Sequence, residues 1–70
     1  DLAKRLSRLG YEITRQTGSH MRLTRPGPPN HHVTIPAHDP LKLGTLAAIV
    51  AEVASALRIP RDDLLRQLFE

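Results

Sequence analysis

The sequence contains no cysteine, no tryptophan and only two aromatic side chains, Tyr11 and Phe69. Without cysteine the chain can form neither a disulfide framework nor a thiolate metal site. With so few aromatic rings it has little on which to stack bases, the usual means of binding single-stranded nucleic acid. No apolar run approaches the roughly 18 residues of a membrane span, so no membrane association is predicted. The 70 residues also lack repeats and linkers, which predicts a single domain over residues 1–70.

What the chain does have is arginine, and its charge is unevenly distributed. Up to Arg25 there are six cations against two acids, whereas residues 26–70 hold four cations against five acids. Arginine is suited to bidentate phosphate contacts, so the basic part indicates a polyanionic partner such as nucleic acid. A solvated basic face with no partner would have the same composition.

The apolar spacing predicts a helix, three antiparallel strands and two further helices. The first helix should end at Gly10, a residue that adopts the left-handed conformation of helix ends without penalty. Alternation predicts strands over residues 11–16, 20–25 and 32–35, separated by a turn at Gly18 and by the proline-rich residues 26–30. The side chains predicted to face the core are Tyr11, Ile13, Met21, Leu23, Val33 and Ile35.

The predicted main helix has Thr45 as its N-cap and is followed by a short last helix after Pro60. Its apolar stripe comprises Leu46, Ile49, Val50, Val53 and Leu57, backed by Ala48, Ala51 and Ala54 at positions of close packing. The last helix should turn Leu64, Leu65, Leu68 and Phe69 inward. These elements predict an α+β fold in which helices cover one face of a three-stranded antiparallel sheet.

The outward face of the second strand holds the candidate chemistry. His20, Arg22 and Thr24 alternate with the inward Met21 and Leu23. Imidazole can donate or accept a proton near neutral pH, and a guanidinium on the same strand face can hold a phosphate. A histidine on a strand is also commonly a surface residue without catalytic function. Ser19 should face away from His20, so the pair is not a nucleophile with its base.

Four ordered segments carry a resemblance to a known family. They are Gly10-Tyr11, residues 15–20 (RQTGSH), residues 33–38 (VTIPAH) and residues 44–49 (GTLAAI). In this order and spacing they resemble the HicA (YcfA-like) toxin family over nearly the whole chain. Two features depart from the common pattern: the proline-rich residues 26–30, and a main helix that continues to Leu57 where many members stop at a glycine.

The resemblance implies an α-β-β-β-α fold like that of a double-stranded-RNA-binding domain, here with a short extra C-terminal helix. It also implies the toxin of a type II toxin–antitoxin pair: a cytoplasmic mRNA interferase with stress-response associations, held inactive by a HicB antitoxin. The family's catalytic histidine corresponds to His20, and no cofactor is implied. The predicted activity is therefore endoribonuclease cleavage of mRNA by metal-independent histidine acid–base chemistry. The residues predicted to bind RNA are Arg15, Gly18, Ser19, Arg22, Arg25 and His38.

Other interpretations remain open from the residues alone. A non-catalytic RNA-binding module on the same scaffold would explain the basic part equally well, and a protein-interaction domain would explain only the apolar helices. His31, His32 and His38 suggest a metal, but they lack the ligand spacing of known metal motifs, so no metal site is predicted. A structural role for His38 in its loop competes with RNA contact.

Overall fold

The computed structural model describes residues 2–37 and 41–70. It contains three helices and three strands in the order α-β-β-β-α-α. Their bounds are α1 Leu2–Ser7, β1 Glu12–Thr17, β2 His20–Arg25, β3 His31–Pro36, α2 Leu43–Leu57 and α3 Arg61–Phe69. The order confirms the predicted double-stranded-RNA-binding-domain-like architecture with its short extra helix.

The sheet is antiparallel and has the order β1-β2-β3, so that β2 is the central strand. Leu23 of β2 and Val33 and Ile35 of β3 are buried against the helices. Their neighbours Arg22 and Thr34, which are paired across the two strands, are exposed on the opposite face. The predicted alternation of β2 and β3 is therefore confirmed, and the sheet has one covered face and one open face.

The core is formed by that covered face and all three helices. Residues Leu2 and Leu6 of α1 are one helical turn apart, which puts both on the buried side. The other buried apolar residues are Tyr11, Leu23, Val33, Ile35, Ile49, Val50, Val53, Ala54, Leu64 and Leu68. The Arg5 guanidinium fastens α1 to α3, since Nη1 donates to the carbonyl of Leu68 at 2.6 Å and the group lies 4.9 Å from the centre of the Phe69 ring.

Several predicted core positions are wrong. Ile13 is 52% exposed because it lies on the edge strand, where the six-residue α1 leaves an open groove beside Met21. Ala48 and Ala51 are exposed, and only Ala54 of the three alanines is buried.

The ends of the helices also differ from the prediction. α2 begins at Leu43 with Lys42 in the N-cap position, so Thr45 lies within the first turn and is not the cap. In α3 only Leu64 and Leu68 are fully buried, and these two residues face the core because they are one helical turn apart. Leu65 and Phe69 each lie one position further round the helix, and they are 37% and 44% exposed. Phe69 instead covers Arg5 from outside the core.

No single helix in the described ranges has the length and apolar character needed to cross a membrane. α2 and α3 meet that criterion only when taken together, and they are bent by 109° where they join.

Candidate functional site

The turn between β1 and β2 fixes the position of His20. Gly18 has a φ of +56°, and a Cβ there would meet no atom within 4 Å, so glycine is favoured by backbone conformation and not by space. The turn closes with Thr17 paired to His20 across the hairpin. The carbonyl of Ser19 accepts a hydrogen bond from the N–H of Ala37, which holds the turn against the end of β3. His20 is therefore the first residue of the central strand, at an anchored corner of the open face.

An irregularity in β1 brings Arg15 to the same face. Ile13 pairs with Leu23, but the next pair joins Arg15 to Arg22, so Thr14 is an extra residue in β1. In a regular strand Arg15 would share the inward side of Ile13, since the two are separated by two positions. The bulge reverses this alternation and places Arg15 on the outer face, directly opposite Arg22.

These residues line a shallow depression of about 210 Å³ on the open face of the sheet, formed by Arg15, Thr17, His20, Arg22 and Thr34. It combines one imidazole, two guanidinium groups and two hydroxyls, and no carboxylate among the described residues lines it. Within the described ranges, the side chains of His20, Arg15 and Arg22 form no hydrogen bond or ion pair. Such a site is electrostatically suited to an anion, and its imidazole is accessible for proton transfer.

A family model described as the HicA toxin of bacterial toxin–antitoxin matches residues 1–56. The chain belongs to the HicA toxin family. The family resemblance predicted from the sequence is thereby confirmed, and with it the general activity: HicA toxins of toxin–antitoxin pairs cleave mRNA, so RNA is the substrate class and an antitoxin is the partner. Comparisons with curated proteins and with solved structures found no match.

The match ends inside α2, so α3 lies outside the HicA region. In this HicA-family chain α3 supplies Leu64 and Leu68 to the core, and it receives the Arg5 hydrogen bond. The depression lies wholly within the matched residues.

The structure separates Arg25 from the other predicted RNA-binding arginines. It lies at the opposite end of β2 from His20, and its Nε donates to the carbonyl of Leu9 at 2.8 Å. The side chain also lies against Gly10, whose φ is +94°. The first helix was predicted to end at Gly10, but α1 ends at Ser7 and residues 8–10 form a turn. Arg25 thus links the turn after α1 to the sheet, and RNA contact there stays a prediction. Arg25 also lines a second groove, whose other walls are the proline-rich connection and the end of α2. His38, another predicted RNA-binding residue, lies outside the described residues.

A contact between Tyr11 and His31 was not predicted. The buried Tyr11 hydroxyl is 2.6 Å from Nδ1 of His31, and the two rings meet edge to face at 5.7 Å. Nε2 of His31 lies 3.6 Å from a carboxylate oxygen of Glu52, so these side chains connect β3 to α2. Burial, the largest influence, raises the pKa of Tyr11, while the Arg25 guanidinium opposes the rise and the Glu52 carboxylate adds to it. One feature of the sequence could have indicated this contact: Tyr11 is predicted to be buried, and a buried tyrosine hydroxyl usually requires a hydrogen-bond partner.

The described histidines do not converge. His20 lies in the depression, His31 contacts Tyr11, and His32 is on the outer face beside Thr24. Among residues 2–37 and 41–70 there is no group of three or more His, Asp or Glu side chains that could hold a metal ion.

Proposed function

We propose that this HicA toxin cleaves mRNA in the depression, with His20 transferring the proton and Arg15 and Arg22 holding the phosphate, and that the reaction uses no metal. The observation that carries the proposal is the convergence of an accessible imidazole with two guanidinium groups that have no partner among residues 2–37 and 41–70. The bulge turns Arg15 outward and so gives the depression a second guanidinium group beside that of Arg22.

The chemistry follows from what cleavage of an RNA phosphodiester requires. A base removes the proton from the ribose 2′-hydroxyl, the oxygen attacks phosphorus, and an acid protonates the departing 5′-oxygen. His20 is suited to one of these proton transfers because imidazole both accepts and donates protons near neutral pH. Arg15 and Arg22, opposite one another, offer donors to the phosphoryl oxygens as negative charge builds on them.

The partner should be a HicB-type antitoxin that covers this face, and both proteins should act in the cytoplasm. An exposed catalytic histidine can be inhibited by covering it, and an acidic cover would associate quickly with an arginine-rich surface. Gly18 and Ser19 would then contribute by shaping the turn that presents His20, with RNA contact through their backbone.

The test is digestion of RNA by purified protein in excess EDTA, with wild type beside His20→Ala. Cleavage should persist in chelator and fall by at least ~10²-fold in the variant, the usual effect of losing an acid–base group. His20 is exposed and outside the core, so the variant should unfold at the same urea concentration as wild type. Gln67→Ala, an exposed position on α3, serves as the control. Cleavage that stops in EDTA would contradict the metal-free mechanism, and undiminished cleavage by His20→Ala would favour a binding role for this residue.

A further inference from the structure

His32 ends a chain of hydrogen bonds that crosses the open face of the sheet. The Thr14 hydroxyl lies 2.8 Å from the Thr24 hydroxyl, which in turn lies 2.8 Å from Nδ1 of His32. At its other end the Thr14 hydroxyl donates to the carbonyl oxygen of Arg22 at 3.3 Å. The chain therefore runs from His32 on β3 to the backbone of a residue that lines the depression.

The direction of the donors along this chain follows from the number of protons available. A carbonyl oxygen can only accept, so the single hydroxyl proton of Thr14 is directed to Arg22. Thr14 must then accept from Thr24, and Thr24, with its own proton used, must accept from the imidazole. His32 therefore carries its proton on Nδ1, and in the neutral ring Nε2 has a free lone pair. His32 is exposed, so Nε2 is accessible from solvent.

The location of His32 separates it from proton transfer at His20. His32 pairs with Thr24, which is four residues along β2 from His20. At about 3.3 Å per residue this is a displacement of ~13 Å along the sheet. An acid and a base acting on one phosphodiester must each be within about 3 Å of the atoms they serve, so the two imidazoles reach different nucleotides.

We infer that Nε2 of His32 accepts a hydrogen bond from the ribose 2′-hydroxyl of a nucleotide that flanks the one cleaved. This rests on the proposed function in that RNA crosses the open face with its scissile phosphate at His20. The lone pair on Nε2 can only accept a hydrogen bond, so its partner must be a donor. Phosphate oxygens are themselves acceptors and are therefore excluded. The open face provides no aromatic ring to orient a base, because Tyr11 is buried and Phe69 is on α3, so the sugar hydroxyl is the donor this surface suits. His32 is then a positioning residue that distinguishes RNA from DNA.

The first test concerns the proton and does not depend on catalysis. Long-range nitrogen–proton correlation NMR of the free protein, at a pH where imidazole is neutral, reports which ring nitrogen is protonated. For His32 we expect Nδ1, and Thr24→Val should remove this preference because it deletes the acceptor. Thr34→Val is the matched control, since its hydroxyl lies on the same face but outside the chain. A proton on Nε2 of His32 in the wild-type protein would overturn the inference.

The second test measures binding of RNA oligonucleotides by the His20→Ala protein. Each oligonucleotide carries one 2′-deoxy substitution at a successive position around the cleavage site mapped with wild type. One flanking substitution should weaken binding about fivefold, as expected for the loss of one hydrogen bond. The double variant His20→Ala/His32→Ala should bind the unmodified RNA about fivefold more weakly than His20→Ala does. Its affinity should not change further when the 2′-deoxy substitution is made. His32→Gln, which restores an acceptor, should recover part of the discrimination.

The outcomes separate this inference from the proposed function. If the 2′-deoxy effect is unchanged when His32 is replaced, or if binding depends on the base at that position and not on its sugar, the inference is wrong. If His20→Ala still cleaves the unmodified oligonucleotide, the proposed catalytic role fails, while the NMR and binding results still report on His32.

Discussion

Replacing Arg15 with threonine should stabilise the folded protein while weakening its hold on RNA. Arg15 and Arg22 are directly opposite one another on adjacent strands, and no carboxylate among the described residues lines their depression. Like charges in such cross-strand pairs destabilise a sheet. A site assembled for binding an anion should therefore be unfavourable for folding when it is empty, and removing one charge should reveal that cost.

The expected magnitude follows from Coulomb's law for two charges on neighbouring strands. Two unit charges ~7 Å apart in water repel by about 0.6 kcal/mol, a value suited to exposed guanidinium groups. Threonine also has a higher strand propensity than arginine, which acts in the same direction. For a domain of this size, 0.6 kcal/mol corresponds to a rise in Tm of about 2–5 °C.

The assay is urea unfolding and thermal unfolding at 20 mM and 500 mM salt, with Arg15→Thr, Arg22→Thr and the double variant. Either single variant should be more stable than wild type at low salt, and the double variant should gain less than the sum, since one replacement already ends the repulsion. High salt should shrink the difference. Arg61→Thr on α3 is the control for losing an arginine outside the site. Additive gains, or a gain that is independent of salt, would refute the explanation by charge repulsion.

Three further predictions concern the tyrosine contact, the turn and the partner. Tyr11→Phe should lower the free energy of unfolding by about 1 kcal/mol through loss of the hydrogen bond to His31. Because the folded state raises the pKa of Tyr11, its contribution to stability is complete below the ordinary tyrosine pKa of about 10 and declines as pH rises above it. The free energy of unfolding, measured in urea titrations, should therefore fall less between pH 9 and 11 in Tyr11→Phe than in wild type. An equal fall in both proteins would contradict this. Gly18→Ala should destabilise the fold by about 1–2 kcal/mol because Gly18 has a positive φ. Gly18→Asn should destabilise it by less, since asparagine adopts this conformation more readily, and urea unfolding measures both effects. Equal effects would indicate a cause other than backbone conformation. A HicB-type antitoxin should bind more slowly as salt increases, and it should protect the amides of the β1–β2 hairpin from hydrogen exchange. If protection is limited to α2 and α3 and the complex still cleaves RNA, the inhibitor binds elsewhere.

The strands and their outward residues were predictable because they follow local rules. Alternation fixes which side chains of a strand share a face, and a glycine before His20 marks a turn of positive φ. The sequence thus placed His20 and Arg22 together on the open face. The charge of Arg15 predicts a phosphate contact, although regular alternation would turn its side chain inward with Ile13. Only the bulge at Thr14 brings it out, and no residue type in that segment signals where pairing slips.

Burial at the periphery was predicted less well, because it depends on how far neighbouring elements extend. Ile13 has the correct inward register opposite Leu23, yet it is exposed because α1 is too short to cover the edge strand. Phe69 has helical spacing for the core, but its position at the end of α3 leaves it outside with Arg5. The chain through Thr14, Thr24 and His32 was equally inaccessible, since it requires the register of all three strands.

The most direct test of the depression as the catalytic site is to measure chemistry and binding separately in one experiment. Single-turnover cleavage of an RNA oligonucleotide is followed in EDTA over a range of excess protein, which gives a maximal rate constant and an apparent Kd for each variant. His20→Ala should lower the maximal rate constant by at least ~10²-fold with little change in Kd. Arg15→Thr and Arg22→Thr should each raise Kd and flatten the salt dependence of binding by about 0.7 per lost phosphate contact, while Arg61→Thr should match wild type. A His20→Ala protein that retains the wild-type rate constant, or arginine variants with unchanged Kd and salt dependence, would contradict the assignment.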